Sequence, residues 1–172
     1  MRQFYAIAAL LALLALSACA LPLNYQASRH DLTLAKDRSA PELALLEHRL
    51  YREFTVGDGE RTICAARRMS DGGVEALTAN QEERLILRFP RLAPFERCTL
   101  VDDLYRDVEA DRPAALIDYT PLVCENATHC FGSSGWRPGR APYAGTDYEL
   151  TYRGYWQVRE DMDPIILTGA EG

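Results

Sequence analysis

Residues 147–159 read Asp147-Tyr148-Glu149-Leu150-Thr151-Tyr152-Arg153-Gly154-Tyr155-Trp156-Gln157-Val158-Arg159. From Asp147 to Tyr152 polar and apolar side chains alternate. A strand sends successive side chains to opposite faces, so one face of this segment is buried and the other is wet. Arg153-Gly154 makes a tight turn into a second alternating segment, Tyr155 to Arg159, and the two strands form a hairpin. Tyr148, Leu150, Tyr152, Trp156 and Val158 fall on its core side.

Upstream, Ala114 to Cys124 is apolar enough for a longer strand, and Pro121 demands an edge position or a bulge within it. Thr99 to Tyr105 is a shorter strand candidate, and Arg61 to Ala66 is another, lying between two helical segments. Ser39-Ala40-Pro41-Glu42 has the form of a capping box, in which the Ser hydroxyl accepts from the backbone N–H three residues on while the Glu reaches back. Leu43, Leu46, Leu50 and Phe54 follow at helical spacing until Val56-Gly57-Asp58-Gly59 stops the helix. His48 falls off that stripe and is expected to be exposed. Thr78-Ala79-Asn80-Gln81 is a second capping signature ahead of Leu85, Ile86 and Phe89, and Pro90 ends this helix. Helices first and strands later predict an α+β domain, with two N-terminal helices packed on one face of a curved antiparallel β-sheet.

The chain has 172 residues, 48% of them hydrophobic and 26% charged, which is the composition of a globular domain and not of a disordered, collagen-like or multi-span membrane chain. A net charge of −6 argues against a nucleic-acid binder that works by neutralising phosphates. Arg2 precedes an apolar run from Phe4 to Leu16, which suits the h-region of a secretory signal; a bilayer span needs roughly 20 residues. Leu16-Ser17-Ala18-Cys19 follows directly and resembles the lipobox of bacterial lipoproteins. The resemblance implies diacylglyceryl transfer to the Cys19 sulfur, cleavage before it and acylation of the new amino terminus. Because Ala20 and not Asp follows, it also implies the outer membrane, facing the periplasm. One acyl chain anchors only marginally, and several hold a protein durably. Residues 1–18 are then a signal peptide, 19–38 the lipidated cysteine and a flexible tether in which His30 is solvated, and 39–172 one domain without internal repeats. The Tyr-x-Leu strand, turn and Trp-x-Val strand of Tyr148 to Val158, with the Pro94 to Cys98 segment and the Cys124 region, resemble small bacterial envelope proteins of unknown function. Some related folds are cystatin-like or resemble nuclear transport factor 2. These motifs describe a hairpin and carry no activity.

Besides Cys19 the chain has Cys64, Cys98, Cys124 and Cys130, an even number suited to two disulfides in an exported domain, with three connectivities open. Cys124 with Cys130 is favoured, because Glu-Asn-Ala-Thr-His makes a loop that a strand turn can close; Cys64 with Cys98 follows by elimination. The alternative is a zinc site of Cys124, His129 and Cys130 with Cys64 as fourth ligand, although the spacing lacks the usual short knuckle and adjacent His129 and Cys130 are poorly placed for one ion. A Cys/His nucleophile from the same residues needs an orienting third group and must escape oxidation. Asn126-Ala127-Thr128 fits a glycosylation sequon that is incidental in a bacterial lipoprotein.

Asp102 and Asp103, with Asp107, Glu109 and Asp111 nearby, could suggest paired carboxylates. On a strand, though, neighbours point apart, and a solvated acidic surface is the expectation. No nucleophile elbow, phosphate-binding Gly loop or His-Glu-x-x-His helix occurs, and no cofactor is implied. Phe131 to Gly145 reads as a long loop, its Gly132-Ser133-Ser134-Gly135 flexible. It carries Trp136, Arg137, Arg140 and Tyr143, residue types common in binding hot spots. Either this segment contacts an envelope protein or peptidoglycan, or Trp136 and Tyr143 fold back over the sheet. The expectation is a non-catalytic envelope lipoprotein acting as a binding or assembly module, with a periplasmic hydrolase of cell-wall or lipid material as the alternative.

Overall fold

The computed structural model describes residues 33–56, 59–140 and 144–160. The lipobox, Cys19, His30 and Tyr143 lie outside the described residues. After a 3₁₀ turn at Leu34–Lys36 come helix α1 (Pro41–Val56), strands β1 (Thr62–Arg68) and β2 (Val74–Ala76), helix α2 (Ala79–Arg88), the short strand β3 (Leu92–Ala93) and a 3₁₀ turn at Phe95–Arg97. The rest is strand: β4 (Cys98–Val101), β5 (Leu104–Asp107), β6 (Arg112–Tyr119), β7 (Val123–Asn126), β8 (His129–Arg137), β9 (Ala144–Tyr152) and β10 (Trp156–Glu160).

The sheet runs β10-β9-β8-β6-β1-β2, with β3 also on β1, the β4–β5 hairpin joined to β6 through β5, and β7 on β8. The fold is therefore α+β with a mostly antiparallel open sheet. The Arg61 to Ala66 candidate is β1, between the two helices. One expectation needs correction: the sheet is not wholly antiparallel. β1 lies parallel to β6, from Thr62 opposite Ala114 to Arg67 opposite Tyr119, and parallel to β3. Parallel neighbours need a long crossover, and α2 lies within it.

Alternation along each strand divides the core in two. Toward the helices, Ile63, Ala65, Ala115, Ile117, Tyr119, Cys130, Tyr148, Leu150 and Trp156 pack with Leu43, Leu46 and Leu50 of α1 and with Leu85 and Phe89. On the opposite face, Cys64, Ala66, Ala114 and Leu116 pack under Cys98 and Tyr105 of the β4–β5 hairpin. That hairpin covers only the β1–β6 part of its face.

The capping signals differ in outcome. Thr78 and Gln81 form the reciprocal box at the start of α2, with the Gln81 N–H donating to Thr78 Oγ1 at 3.4 Å and the Thr78 N–H donating to Gln81 Oε1 at 3.1 Å. Ser39 and Glu42 do not cap α1. The Ser39 hydroxyl donates to Asp37 at 2.6 Å, Glu42 accepts from Gln81 at 2.9 Å, and Pro41 opens the helix, a position where its missing N–H is harmless. The expected tether is also shorter at its C-terminal end, because residues 33–38 are folded onto the domain. The buried Glu47 accepts from Thr33 Oγ1 (2.9 Å), the Ala35 N–H (3.1 Å) and Arg88 (2.7 Å), and the Trp156 indole donates to the Asp37 carbonyl at 3.0 Å.

Ala114 to Cys124 is not one strand with an edge or bulge at Pro121: β6 ends at Tyr119 and β7 resumes at Val123, with Pro121 in the break. Across the break the Thr120 N–H donates to the Ser133 carbonyl (2.8 Å) and Thr120 Oγ1 accepts from the Ser133 N–H (2.9 Å). Thr99 to Tyr105 is not one strand. Asp102 and Asp103 form the β4–β5 turn at φ 49° and 65°, the left-handed pair that a type I′ hairpin requires and that Asp tolerates. The segment Gly132-Ser133-Ser134-Gly135 is not flexible loop but the middle of β8. Its small residues answer to crowding: a Cβ on Gly132 would run into Leu122, and the buried Ser134 hydroxyl donates to the Asp118 carbonyl at 2.7 Å. His48 is half-buried, not exposed, with its ring edge-on to Tyr148 at 5.8 Å. The last hairpin turns through three residues, Arg153-Gly154-Tyr155, with Gly154 at φ 82°, so Tyr155 sits in the loop.

Candidate functional site

β6 is apolar from Ala114 to Ile117 and then places Asp118, fully buried, on the face away from the helices. A carboxylate there is tolerable only if its charge is met. Arg68, at the end of β1, donates to it through Nη2 at 2.6 Å and Nε at 3.4 Å, and Arg137 Nε of β8 stands 3.2 Å away. Three adjacent strands thus deliver the triad. Both arginine side chains are 11% exposed, and Arg137 Nη1 also donates to the Gly72 carbonyl at 3.0 Å. The cluster carries one net positive charge.

Beside Asp118 the next two strands present Gly135 and Gly145 in direct register, so no side chain rises from the sheet there. Tyr105 reaches this region from β5. Burial pushes its phenol pKa up, the Arg137 and Arg140 charges pull it down, and Asp118 adds to the rise. At the hairpin turn Arg140 pairs with Asp103 at 3.0 Å, both exposed. The β8–β9–β10 part of this face continues with Phe131, Ser133, Asp147, Glu149, Gln157 and Arg159, from strand alternation.

A second buried carboxylate, Asp107, belongs to the fold. It accepts from Arg97 (2.6 Å), Thr62 (2.6 Å) and the N–H groups of Glu109 and Ala110 (both 3.1 Å). The Arg97 hydrogen bond leads in holding its pKa far below the ordinary carboxylate range against burial. Charge-assisted donors on all sides close this site and tie the β5–β6 turn to β1.

The structure joins Cys64 to Cys98 and Cys124 to Cys130. Cys124 and Cys130 face each other across β7 and β8, their Cα atoms 4.0 Å apart. A groove of about 390 Å³ runs up to this pair, lined by both cysteines, Arg38, Pro41, Ala127 and Trp156. On the hairpin's other side His129 is held between Glu125 (Nδ1, 3.1 Å) and Glu149 (Nε2, 2.8 Å) and lies against Phe131 at 4.6 Å. The Glu149 hydrogen bond raises the His129 pKa, with Glu125 adding to it.

Against this geometry the zinc and thiol-nucleophile alternatives fail, because all four domain cysteines are disulfides and His129 is engaged by carboxylates. Among the described residues no group of three or more metal-ligating side chains converges. Asn126 serves the β7–β8 turn, its side-chain oxygen accepting from the Thr128 N–H and hydroxyl at 2.8 Å. Trp136 and Arg137 do not share a surface. Trp136 packs toward the helices beside Phe54, Ile63 and Arg91, while Arg137 turns to Asp118 on the opposite face and Arg140 lies at the hairpin tip. Sequence reading singled out Arg137 but missed Asp118, Arg68 and Tyr105. The available signal was an Asp inside an otherwise apolar strand. Comparison with protein-family models, with curated proteins and with solved structures finds no match for this chain.

Proposed function

We propose that the protein is a lipid-anchored envelope lipoprotein whose folded domain is a binding module, with the open sheet face around Arg68, Asp118 and Arg137 as its recognition surface. The observation that carries the first part is the cysteine arrangement. Two disulfides use four of the five cysteines, which fits an oxidising, exported compartment and leaves Cys19 with no cysteine partner in the chain. A leftover cysteine directly after an apolar run is accounted for by acylation. The outer membrane, facing the periplasm, is the location that Ala20 favours.

Support for recognition comes from the chemistry of the face. The net positive charge of the cluster is held in fixed orientation beneath the open face, so an anionic group that reaches it is met with little ordering cost. Envelope proteins and peptidoglycan, which carries carboxylates, are the partner classes that match. The experiment is an intact mass of membrane-extracted protein, wild type and Cys19→Ser, with thiols alkylated before reduction. We expect a mass gain from acyl chains that Cys19→Ser abolishes, together with release from the membrane fraction and no alkylation of the other four cysteines. An unacylated mature chain overturns the anchor. Co-sedimentation of the Cys19→Ser protein with peptidoglycan, equal for wild-type and Arg137→Gln domains, overturns that assignment of the surface for this partner.

A further inference from the structure

We propose that Cys124–Cys130 is a thiol-exchange site, a disulfide that an exported dithiol opens in the folded protein, whereas Cys64–Cys98 is purely structural. The two bridges differ in access at one end: Cys130 is 1% exposed, like the buried pair, but its partner Cys124 is open to solvent. Cys64 and Cys98 are 0% and 4% exposed, within the core that the β4–β5 hairpin covers. Cys124 is exposed, as are all four residues of β7, and the β8 ladder is this strand's sheet connection. A thiolate therefore meets one bridge at the surface and the other only after the hairpin lifts from the sheet.

The groove beside Trp156 supplies an approach bounded by both sulfur-bearing residues. Arg38, on the same groove, donates to the Ala127 carbonyl at 3.2 Å and brings positive charge near the thiolate that forms. The step is ordinary exchange. One thiolate of the dithiol attacks Cys124 Sγ, the bond to Cys130 breaks, and the Cys130 sulfur leaves with the electron pair and takes up a proton. The second thiol of the reductant then attacks the mixed disulfide, freeing the Cys124 thiol, so that two electrons pass to the protein and the reductant ends as a disulfide. Little apolar contact is lost, because β7 buries none of its residues; what changes is the tie that holds this strand over the groove.

The test uses the purified, oxidised full chain and dithiothreitol as the dithiol. Protein is equilibrated over a concentration series without denaturant, quenched with N-ethylmaleimide, and mapped by peptide mass spectrometry, with circular dichroism on the same samples. We expect Cys124 and Cys130 to be alkylated at a concentration about tenfold or more below that which opens Cys64–Cys98, with the fold retained. Joint opening, prior opening of Cys64–Cys98, or opening only with loss of the circular dichroism signal overturns the proposal. In Cys130→Ser, oxidised glutathione is expected to add one glutathionyl group at Cys124 in the folded state, and no addition counts against the site. Should that variant not fold, the wild-type titration decides the matter. Neither readout depends on acylation of Cys19.

Discussion

Replacing Asp118 by Asn keeps the shape of the side chain and removes the charge that two arginines share. Removing one partner of a buried ion pair costs about 3–5 kcal/mol, because the remaining charge stays desolvated. Here Arg68 and Arg137 are each 11% exposed, so both guanidinium groups would be left facing one another with little access to water. The amide still offers one acceptor oxygen, which places the expected loss near the lower end, about 3 kcal/mol, or roughly 10 °C in melting temperature for a domain of this size. Urea unfolding of the oxidised protein, followed by tryptophan fluorescence, measures it. A companion variant with Asp118→Leu, Arg68→Met and Arg137→Met is expected to recover most of the loss, since an apolar replacement of the whole cluster leaves no orphaned charge. If Asp118→Asn costs less than about 1 kcal/mol, the arginines are effectively hydrated and the carboxylate does not hold them in place.

Other outcomes follow from the same geometry. Chain-entropy reasoning gives about 4 kcal/mol for Cys64–Cys98 and about 2 kcal/mol for Cys124–Cys130, the sequence separations being 34 and 6; paired alanine variants in denaturant melts are expected to keep that order. Gly139→Ala drives a Cβ into the Asp103 carbonyl and Leu104 and is expected to cost about 2–3 kcal/mol by overpacking. Gly154→Ala, with open space but φ 82°, is expected to cost about 1 kcal/mol. His129 has a folded pKa raised above 6.5 by Glu149 and Glu125, so its stabilising contribution is fully present below that pH and lost as pH rises through the raised value. His48 is shifted the other way, by burial first and then by Arg52 and Arg49; it binds its proton less readily when folded and lowers stability on acidification. Stability profiles of His129→Asn and His48→Gln between pH 5 and 8.5 are expected to change slope in opposite directions.

Local rules read the elements well where local forces decide them. Thr78 and Gln81 cap a helix with groups three residues apart, and alternation from Tyr148 to Val158 predicts a hairpin with Trp156 and Leu150 inside. Ser39 does not cap because a nearer acceptor, Asp37, takes its hydroxyl and because Gln81 from another helix takes Glu42. The Gly-Ser run of β8 is strand and not loop because small residues mark flexibility locally and crowding globally, and only the position of Leu122 and Ser134 in the sheet distinguishes the two. Glu47 shows the same limit: on the buried stripe of α1 it looks like a misplaced charge until Thr33, Ala35 and Arg88 converge on it.

Composition and chain order were enough to determine a small acidic α+β domain, two helix starts, the final hairpin and an even set of domain cysteines. These rest on periodicity, backbone stereochemistry and counting, all of which act within a few residues. Tertiary structure alone decided that β1 lies parallel to β6, that residues 33–38 belong to the domain, and that Arg68, Asp118 and Arg137 meet. Those residues are 50 and 19 positions apart in sequence; their meeting depends on the strand order β8-β6-β1 and on the requirement that a buried carboxylate find its countercharge wherever the fold brings one.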